Sequence, residues 1–297
     1  MKRPIIAVDW GTSSLRGARL AADGQAFEER AFPRGILSVP AGGFAAVFDE
    51  LFGDWVAATP DALCLISGMG GSRQGWLEAP YGTCPADAAA LASQLAWVTP
   101  GQVAIVPGLS CLHQGIPDVM RGEETQVFGA MRLLGLDSGR FVLPGTHSKW
   151  VQVKAGRIVD FTTAMTGEVY GLLRRHSILA RTLPAGDSDF DAAAFDAGVA
   201  HALGGVGLLQ SAFSVRTLSL FERLSESQGP SYLSGIVIGE ELRSQSARGA
   251  GRVVVIGAEA LTQRYRRALA AVDVDALVVG SEATWSGLSQ VADTVRS

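Results

Sequence analysis

The feature that most constrains this chain is the way its first apolar segment ends. Residues 5–8 are an apolar, mostly β-branched run, which is typical of a buried strand. Residues 14–20 mix apolar and polar side chains as a second strand would. Three small residues separate them, and their backbone N–H groups and hydroxyls can turn outward as donors: Gly11, Thr12 and Ser13. The segment predicts a β-hairpin whose turn can bind phosphate oxygens.

Asp9 ends the first of these strands. A carboxylate at this position could hold Mg²⁺ through water, because Mg²⁺ favours carboxylate ligands and keeps several of its waters. The simpler interpretation is an ordinary hairpin turn next to a capping aspartate. For this stretch alone, both interpretations stay open.

The length and charge of the chain limit its architecture and its partners. A chain of 297 residues exceeds the usual single core, so we expect two domains, residues 1–115 and 116–297, with the break close to Gly115 and Pro117. The net charge of −4 gives no support to binding of nucleic acid or of an anionic membrane. We therefore expect a small-molecule substrate.

The cysteines indicate the compartment. Cys64, Cys84 and Cys111 lie far apart and include no C-x-x-C pair, which argues against a zinc site and against a disulfide framework. Only four apolar residues precede Asp9, too few for the core of a signal peptide, and no run approaches the ~18 apolar residues of a membrane helix. We expect a cytoplasmic protein.

A glycine-rich segment follows the apolar run at residues 62–67. In open α/β sheets, ligands bind beyond the carboxyl ends of strands. Arg73 could bind a carboxylate with its two-pronged guanidinium, Ser72 could add a hydroxyl, and Trp76 could cover an apolar face, which suits a small polyhydroxylated acid. The simpler interpretation is a surface loop with a solvated arginine. Arg73 stands where a G-x-G-x-x-G motif needs its last glycine, and the chain has no Gly-Lys pair, which excludes a dinucleotide fingerprint and a Walker A loop.

Apolar spacing predicts the remaining elements. We expect helices at residues 44–58, 85–97 and from residue 122 onward, a strand at 103–107, and a largely helical remainder. Glu123 and Glu124 open the helix that begins near residue 122. Acids in a first turn complement the helix dipole, and that role needs no chemistry. The functional alternative makes one of them a general base.

A second strand, turn and strand occurs about 135 residues after the first. Residues 141–143 lead into Gly145 and Thr146, and alternation resumes at residues 150–153. Two such hairpins, one in each expected domain, could hold a phosphate chain from both sides. By themselves, His147 is more simply a turn histidine and Lys149 a surface charge.

A third informative strand end lies at residues 252–256. The β-branched run there stops at Gly257 and Ala258, and a nucleotide base could lie against such a turn because no large side chain blocks it. An ordinary connection between a strand and a helix would look the same.

Taken together, the three strand ends resemble the nucleotide-contacting segments of the actin/hexokinase ATPase superfamily. Four longer motifs resemble the 2-dehydro-3-deoxygalactonokinase family within it: residues 67–81, 120–126, 143–150 and 161–168. The resemblance implies an α/β fold of two actin-like, ribonuclease H-like domains with an ATP cleft between them. It also implies Mg²⁺-assisted, ATP-dependent phosphorylation of the 6-hydroxyl of 2-dehydro-3-deoxy-D-galactonate, in galactonate breakdown.

The resemblance also implies roles for individual residues. The first phosphate site would consist of Asp9, Gly11, Thr12 and Ser13, with Asp9 on the metal side; the second would consist of Gly145, Thr146 and His147; adenosine would lie against Gly257 and Ala258. Related sugar kinases commonly use an aspartate as base, whereas this chain has Glu123 and Glu124 in the matching region. We favour Glu124, with Asp118 as the outside candidate.

Three alternatives stay open. The chain could be a kinase of another sugar or sugar acid, a non-kinase ATPase of the same superfamily, or a sensor. The sequence also leaves open the C4 configuration of the substrate, the placement of the C-terminal helix, and whether the chain forms a homodimer.

Overall fold

The structure, a computed structural model, describes residues 3–186, 188–249 and 251–295. Its strands are β1 (Ile5–Trp10), β2 (Leu15–Leu20), β3 (Ala26–Phe32), β4 (Leu63–Gly68), β5 (Tyr81–Thr83), β6 (Ala96–Thr99), β7 (Val103–Ile105), β8 (Gly108–His113), β9 (Ile116–Met120), β10 (Gly139–Leu143), β11 (Ser148–Lys154), β12 (Arg157–Ala164), β13 (Arg252–Ile256) and β14 (Asp275–Val279). Its helices are α1 (Phe44–Ala58), α2 (Ala88–Ala92), α3 (Glu123–Leu134), α4 (Thr166–His176), α5 (Ala192–Leu203), α6 (Leu208–Leu220), α7 (Gly229–Ser244), α8 (Glu259–Ala270) and α9 (Glu282–Val295).

The two larger sheets share one strand order. The six-stranded sheet runs β3-β2-β1-β4-β7-β6, in which β1 pairs antiparallel with β2 and parallel with β4. The five-stranded sheet runs β12-β11-β10-β13-β14, with β10 parallel to β13. In each, a strand lies between its hairpin partner and a parallel strand from later in the chain. A three-stranded sheet, β5-β8-β9, completes the strands.

Several predicted elements are confirmed because their patterns are strong. The apolar stripe of residues 44–58 forms α1 over the same residues, and it buries aromatic rings such as Phe48 and Phe52 against β1 and β4. The predicted apolar runs form β1, β4 and β13, whose central residues are buried. Helix α3 begins at Glu123, one residue after the glycine at 122.

The structure of residues 85–119 differs from the prediction of a helix at residues 85–97. The helix expected at 85–97 ends at Ala92, and the β-favouring residues around Trp97 pair with β7 as β6 instead. The expected domain break is an ordered hairpin of β8 and β9. Gln114 and Gly115 both have positive φ, as a tight hairpin turn requires. Gly115 here marks a turn within the fold, and Pro117 lies in β9 opposite Leu112.

The contacts of the chain group it into two compact units. Unit 1 comprises residues 1–139, 151–161 and 279–297, and unit 2 comprises residues 140–150 and 162–278. Each has its own apolar core: Ile6, Trp10 and Phe52 belong to that of unit 1, and Phe195 and Ile236 to that of unit 2. This grouping differs from the predicted limits of 1–115 and 116–297.

The difference arises from the packing of α3 against α9. A Cβ on Gly129 would lie 1.8 Å from the Ala283 carbonyl oxygen, and a Cβ on Gly287 would lie 1.8 Å from the Thr125 carbonyl oxygen. The two helix backbones therefore touch, and α9 also contacts β1 and β4. Through this packing, α3 and the C-terminal helix α9 belong to unit 1 together with β1 and β4. The sequence had left the placement of the C-terminal helix open.

None of the helices in the described residues is long and apolar enough to cross a membrane.

Candidate active site

The first predicted phosphate turn is a closed, exposed loop in unit 1. The Gly11 N–H donates to the Ser14 carbonyl at 2.8 Å, which closes the turn directly after β1. Thr12 and Ser13 are exposed. Neither of their backbone N–H groups donates to any residue that the structure describes. Two adjacent free donors at the end of a strand can bind an anion.

The segment after β3 holds this turn in place. The N–H groups of Ile36 and Leu37 donate to the carbonyls of Gly11 and Thr12, at 3.0 and 3.3 Å. Gly35 packs so closely that a Cβ there would lie 2.2 Å from the Ser13 nitrogen. The carbonyls of Gly11 and Thr12 are thus satisfied within the fold.

Asp9 lies next to the turn with its carboxylate only partly shielded. Its side chain is 19% exposed, and Oδ2 accepts from the Arg16 guanidinium at 2.5 Å. Arg16 lies in turn over the Trp285 ring, 5.5 Å from its centroid. The other oxygen, Oδ1, faces Gly68, where a Cβ would lie 3.4 Å away. One carboxylate oxygen is therefore fixed, and the other lies against bare backbone.

Two glycines bring the start of α3 close to Asp9. A Cβ on Gly122 would lie 3.2 Å from the Gly68 Cα, so the backbone before α3 touches the backbone at the end of β4. Gly68 contacts Asp9 on its other side. The structure thus places Asp9, predicted to bind the metal, and the start of α3, which carries two of the acids predicted as base, on either side of Gly68 within unit 1.

Glu124 is fully buried and faces the backbone of its own helix start. The Gly122 N–H donates to both carboxylate oxygens, at 2.9 and 2.8 Å, and the Thr125 hydroxyl donates to one of them at 3.2 Å. Burial, followed by the charge of Glu123, raises the pKa of the Glu124 carboxyl to about 8. Below that pH the side chain is mostly protonated in the folded protein.

The other two candidates for the base have local backbone contacts. Glu123 accepts from the Arg121 N–H at 2.9 Å, and Asp118 on β9 accepts from the Val119 N–H at 2.7 Å. Glu123 is half-buried, whereas Glu124 is enclosed. The role of base therefore stays a prediction for all three residues.

The loop after β4 contains the predicted substrate residues in three different environments. Arg73 is 88% exposed and pairs with Glu78 at 3.1 Å. The Trp76 ring is half-buried and packs against Phe48, with 5.2 Å between ring centroids. The Ser72 hydroxyl is buried without a hydrogen-bond partner in the described residues.

Arg121, which the sequence analysis did not single out, lies beside this loop. Its Nη2 donates to the Ala79 carbonyl at 2.9 Å, and its guanidinium stacks over Tyr81 at 4.3 Å. Its Nε and Nη1 are buried and have no partner among the described residues. A Cβ on Gly71 would lie 2.8 Å from Nη1. Unsatisfied buried guanidinium groups are rare, and a carboxylate is their natural partner; only the tertiary contacts reveal this one.

The second predicted phosphate turn is in unit 2, where the start of α4 supports it. The Glu168 N–H donates to the Thr146 carbonyl at 3.0 Å, and the Glu168 carboxylate contacts His147 Nε2 at 2.5 Å. A Cβ on Gly167 would lie 2.4 Å from the Gly145 carbonyl oxygen. Only glycine at position 167 allows this approach.

Lys149 is not the surface charge that its sequence context favours. It is 6% exposed, and its ammonium donates to the Thr163 hydroxyl at 2.8 Å. The expectation was wrong because β11 places residue 149 inside the unit, a placement that depends on sheet pairing.

A cavity of about 230 Å³ opens beside the second turn within unit 2. It is lined by Gly145, Thr146, Thr166, Gly167, Tyr170, Ser234, Val237, Ile238, Leu261, Arg264 and Tyr265. Complete small-molecule pockets are usually about 300–1,000 Å³, so this cavity suits one part of a ligand. Its apolar wall and its hydroxyls suit an aromatic base with polar edges.

A buried carboxylate lies behind this cavity. Glu241 on α7 accepts from the Trp150 indole and from the Tyr265 hydroxyl, each at 2.7 Å, and from the Thr166 hydroxyl. The Ser148 and Tyr265 hydroxyls are 2.9 Å apart. Burial raises the pKa of Glu241. The network joins α4, α7, α8 and β11 around the second turn, and nothing in the sequence pattern of α7 indicated it.

The third strand end is close to the second turn. The φ of Gly257 is +150°, and a Cβ there would lie 3.8 Å from the Pro144 carbonyl oxygen. Helix α8 begins directly after Ala258. Unit 2 thus brings together the turn predicted for phosphate and the turn predicted for adenosine.

Comparison with known proteins places the chain in a family. The model of the 2-keto-3-deoxy-galactonokinase family matches residues 9–291. A 2-dehydro-3-deoxygalactonokinase of Escherichia coli (strain K12) is 36% identical over 294 residues, which cover 98% of each chain. A crystal structure of a putative 2-dehydro-3-deoxygalactonokinase from Sinorhizobium meliloti superposes with a TM-score of 0.90 at 35% identity, covering 98% of this chain and 99% of that one.

A more distant structure shares the fold alone. The activator of 2-hydroxyisocaproyl-CoA dehydratase from Clostridium difficile, solved with bound ADPNP, superposes with a TM-score of 0.53 at 12% identity, covering 99% of this chain and 94% of that chain. The α/β class and the two-domain, actin-like fold that the sequence predicted are thereby confirmed. Because the family model matches nearly the whole chain and the Escherichia coli relative is 36% identical over 98% of it, this chain belongs to the 2-keto-3-deoxy-galactonokinase family.

Proposed function

We propose that the chain is an ATP-dependent kinase that phosphorylates the 6-hydroxyl of 2-dehydro-3-deoxy-D-galactonate, in galactonate breakdown. Membership of a kinase family implies the use of ATP. The substrate follows from the name of the Escherichia coli relative, which is similar over nearly its whole length.

The exposed turn after β1 is the observation that carries this proposal. Phosphoryl transfer needs preorganised donors aimed at the oxygens of the transferred group. The N–H groups of Thr12 and Ser13, which donate to no described residue, would meet that need, and the hydrogen bonds from residues 36 and 37 to the Gly11 and Thr12 carbonyls would hold the turn in place.

Mg²⁺ fits the residues beside this turn. Asp9 has one oxygen bound by Arg16, and its second oxygen lies beside Gly68, which has no side chain to block a ligand. Mg²⁺ is commonly bound by one or two carboxylates together with substrate phosphates. When bound, it would neutralise charge on the transferring phosphate. Asp9 itself would orient the hydrated ion, and Arg16 would hold the carboxylate in place.

We assign the other predicted residues to the remaining tasks. The turn at Gly145, Thr146 and His147 would bind phosphate, and the cavity beside it would take the adenine base near Gly257 and Ala258. The substrate acid would contact the loop of Ser72, Arg73 and Trp76.

Glu124 would accept the proton of the substrate hydroxyl, with Glu123 and Asp118 as the alternatives. A pKa of about 8 lies near the pH at which proton transfer is efficient, which supports Glu124. Because the side chain is enclosed, this role requires that substrate binding opens the start of α3.

The cytoplasm is the location that we propose. Cys64, Cys84 and Cys111 are all unpaired, and free thiols are typical of a reducing compartment. A small-molecule substrate without nucleic acid or membrane as partner agrees with the net charge of −4.

The proposal is tested by ADP release from Mg-ATP with four acceptors: 2-dehydro-3-deoxy-D-galactonate, its gluconate epimer, galactonate and a neutral hexose. We expect turnover with the two deoxy keto acids only, and their relative kcat/KM would rank the C4 epimers. ATP hydrolysis that needs no acceptor would contradict the kinase assignment. Turnover with the neutral hexose would contradict the acid substrate.

A further inference from the structure

A cysteine, a histidine and an aspartate converge in unit 1 at a place that the proposed kinase reaction does not use. Cys111 and His113 are two residues apart on β8, so their side chains lie on one face of the strand. Asp160 lies on β12. One ligand atom from each of the three side chains lies within 4.8 Å of the other two.

The distances match the edges of a metal coordination shell. Cys111 Sγ is 3.3 Å from His113 Nε2, and Nε2 is 3.5 Å from Asp160 Oδ1. In tetrahedral zinc sites the metal–sulfur distance is about 2.3 Å and the metal–nitrogen and metal–oxygen distances are about 2.0–2.2 Å, so neighbouring ligand atoms are roughly 3.3–3.6 Å apart. One ion could contact all three atoms with small side-chain adjustments.

The set of donors and its exposure also fit a metal. A thiolate, an imidazole and a carboxylate together suit a borderline-soft divalent ion better than Mg²⁺ or Ca²⁺, which prefer oxygen. Cys111 is buried, whereas the His113 side chain is 36% and the Asp160 side chain 53% exposed. The site is thus anchored inside the unit and open to solvent on one side, where an ion can enter.

We propose that Cys111, His113 and Asp160 form a binding site for a divalent transition metal, with Zn²⁺ as the expected ion, and that it clips β8 to β12. The proposal is independent of the proposed kinase function.

Metal binding requires that Cys111 loses its thiol proton and that Nε2 of His113 carries no proton. Without metal, the Cys111 thiol and His113 Nε2 both contact the Phe161 carbonyl, at 3.2 and 2.7 Å. On binding, the thiol releases its proton to solvent, and His113 uses the Nε2 lone pair with its proton on Nδ1. A water molecule in the fourth coordination position then replaces the lost donors by donating to the Phe161 carbonyl.

The test is a titration of metal-free, full-length protein with Co²⁺, followed by displacement with Zn²⁺. We expect one Co²⁺ per chain and a thiolate-to-cobalt charge-transfer band, which Cys111→Ser abolishes. His113→Asn and Asp160→Asn should each weaken Co²⁺ binding at least about tenfold. Loss of a residue that only hydrogen-bonds to a metal ligand already costs about that much affinity, so loss of a ligand should cost no less. The melting temperature of each variant is measured without metal. If it equals that of the metal-free wild type, misfolding is excluded as the cause of weaker binding.

Three matched controls are available in the chain. Cys64→Ser removes a buried thiol on β4. Cys84→Ser removes a thiol directly after β5, the strand that pairs with β8. Asp118→Asn removes the acid that is paired with Cys111 across β8 and β9. All three variants should bind Co²⁺ as the wild type does. A band that survives Cys111→Ser, or a loss with Asp118→Asn equal to that with Asp160→Asn, overturns the proposal.

X-ray absorption on the zinc-loaded wild type covers the case in which a variant fails to fold. We expect one sulfur neighbour at about 2.3 Å and three nitrogen or oxygen neighbours at about 2.0–2.2 Å. A shell without sulfur, or no saturable binding in the titration, means that these side chains form only a hydrogen-bonded cluster around the Phe161 carbonyl.

Discussion

At the scale of single residues, the site depends on a few polar groups whose environments differ sharply. Asp9 is partly exposed and paired with Arg16, whereas Glu124 is enclosed with both carboxylate oxygens on the Gly122 N–H. Arg73 is solvated, and Arg121 has two buried nitrogens without partners in the described residues. These contrasts make the assignment of roles testable by substitution.

The role of Glu124 is tested by Glu124→Gln, which keeps the size and one acceptor oxygen. We expect kcat to fall by ~10²–10⁴-fold, the usual loss for a missing general base, with little change in the KM for ATP. Steady-state kinetics compare this variant with Glu123→Gln and Asp118→Asn. A near-normal rate in a folded Glu124→Gln protein would remove Glu124 from the role, and a large loss in one of the other two would reassign it.

Recognition of the substrate carboxylate is tested with Arg73→Ala and Arg121→Lys. A lost hydrogen bond to a charged group costs about 1.5–3 kcal/mol, or roughly 10- to 150-fold in affinity. We expect Arg73→Ala to raise the KM for the sugar acid by such a factor while the KM for ATP is unchanged.

Arg121→Lys keeps the charge but loses the planar fork of donors. If only this variant raises the KM for the acid, the carboxylate binds at Arg121, and the assignment of Arg73 is wrong.

At the scale of elements, close backbone contacts position both predicted phosphate turns. Gly35 lies against the turn of Thr12 and Ser13, and Gly167 at the start of α4 lies against Gly145 and Thr146. Because backbone packs on backbone, neither turn can relax around an added side chain. The geometry of each turn therefore depends on a glycine outside the turn itself.

Gly167→Ala tests this dependence for the second turn. The added methyl would lie 2.4 Å from the Gly145 carbonyl oxygen, so the turn must move. Overpacking of this kind costs about 1–3 kcal/mol, and we expect the Kd for ATP, measured calorimetrically, to rise roughly 5- to 150-fold.

The matched control is Gly53→Ala in the middle of α1, where the nearest atom to the new Cβ would be 3.8 Å away. This change should leave ATP affinity unchanged. Equal nucleotide affinity in Gly167→Ala and the wild type would show that the turn at Gly145 does not contact ATP.

At the scale of the whole molecule, one strand order occurs twice and each unit has its own core. The order places a hairpin next to a parallel strand in both sheets, so the turns after β1 and β10 occupy equivalent positions. Stability, however, also depends on groups that burial holds in an unfavourable state. Glu124 is the clearest of these.

The burial of the Glu124 carboxyl should make the free energy of unfolding depend on pH. The pKa of Glu124 is about 8 in the folded protein against an ordinary value of 4.5, so between these pH values the folded state holds more protons than the unfolded state. Stability from this group is therefore lost as pH rises from about 4.5 to 8. We expect the stability of Glu124→Gln to fall less with rising pH. The melting temperature of the variant should therefore increase relative to that of the wild type as pH rises.

Thermal unfolding at half-unit steps of pH measures the effect, and each kcal/mol shifts the melting temperature by about 2–4 °C for a protein of comparable size. The exposed Glu29→Gln on β3 serves as control and should follow the wild type. Parallel curves for the wild type and Glu124→Gln would mean that the Glu124 carboxyl is ionised at neutral pH in the folded protein.

The sequence by itself determined the features that local patterns encode. The β-branched run ending at Asp9, the apolar stripe of α1 and the repeated strand-turn-strand at Gly145 predicted the fold class and the two hairpins. The longer motifs identified the family. These features survive because strand and helix periodicity and small-residue turns act over a few neighbouring residues.

Only the tertiary structure decided which distant residues meet. Residues 85–99 show why, since their helical pattern yields to the pairing of β6 with β7. The burial of Lys149 and the unpartnered nitrogens of Arg121 follow from packing between elements, which no local spacing encodes. The cysteine spacing along the chain argued against zinc, whereas the packing of β12 near β8 places Asp160 beside Cys111 and His113. Contacts between residues far apart in sequence arise only once sheets and helices have packed.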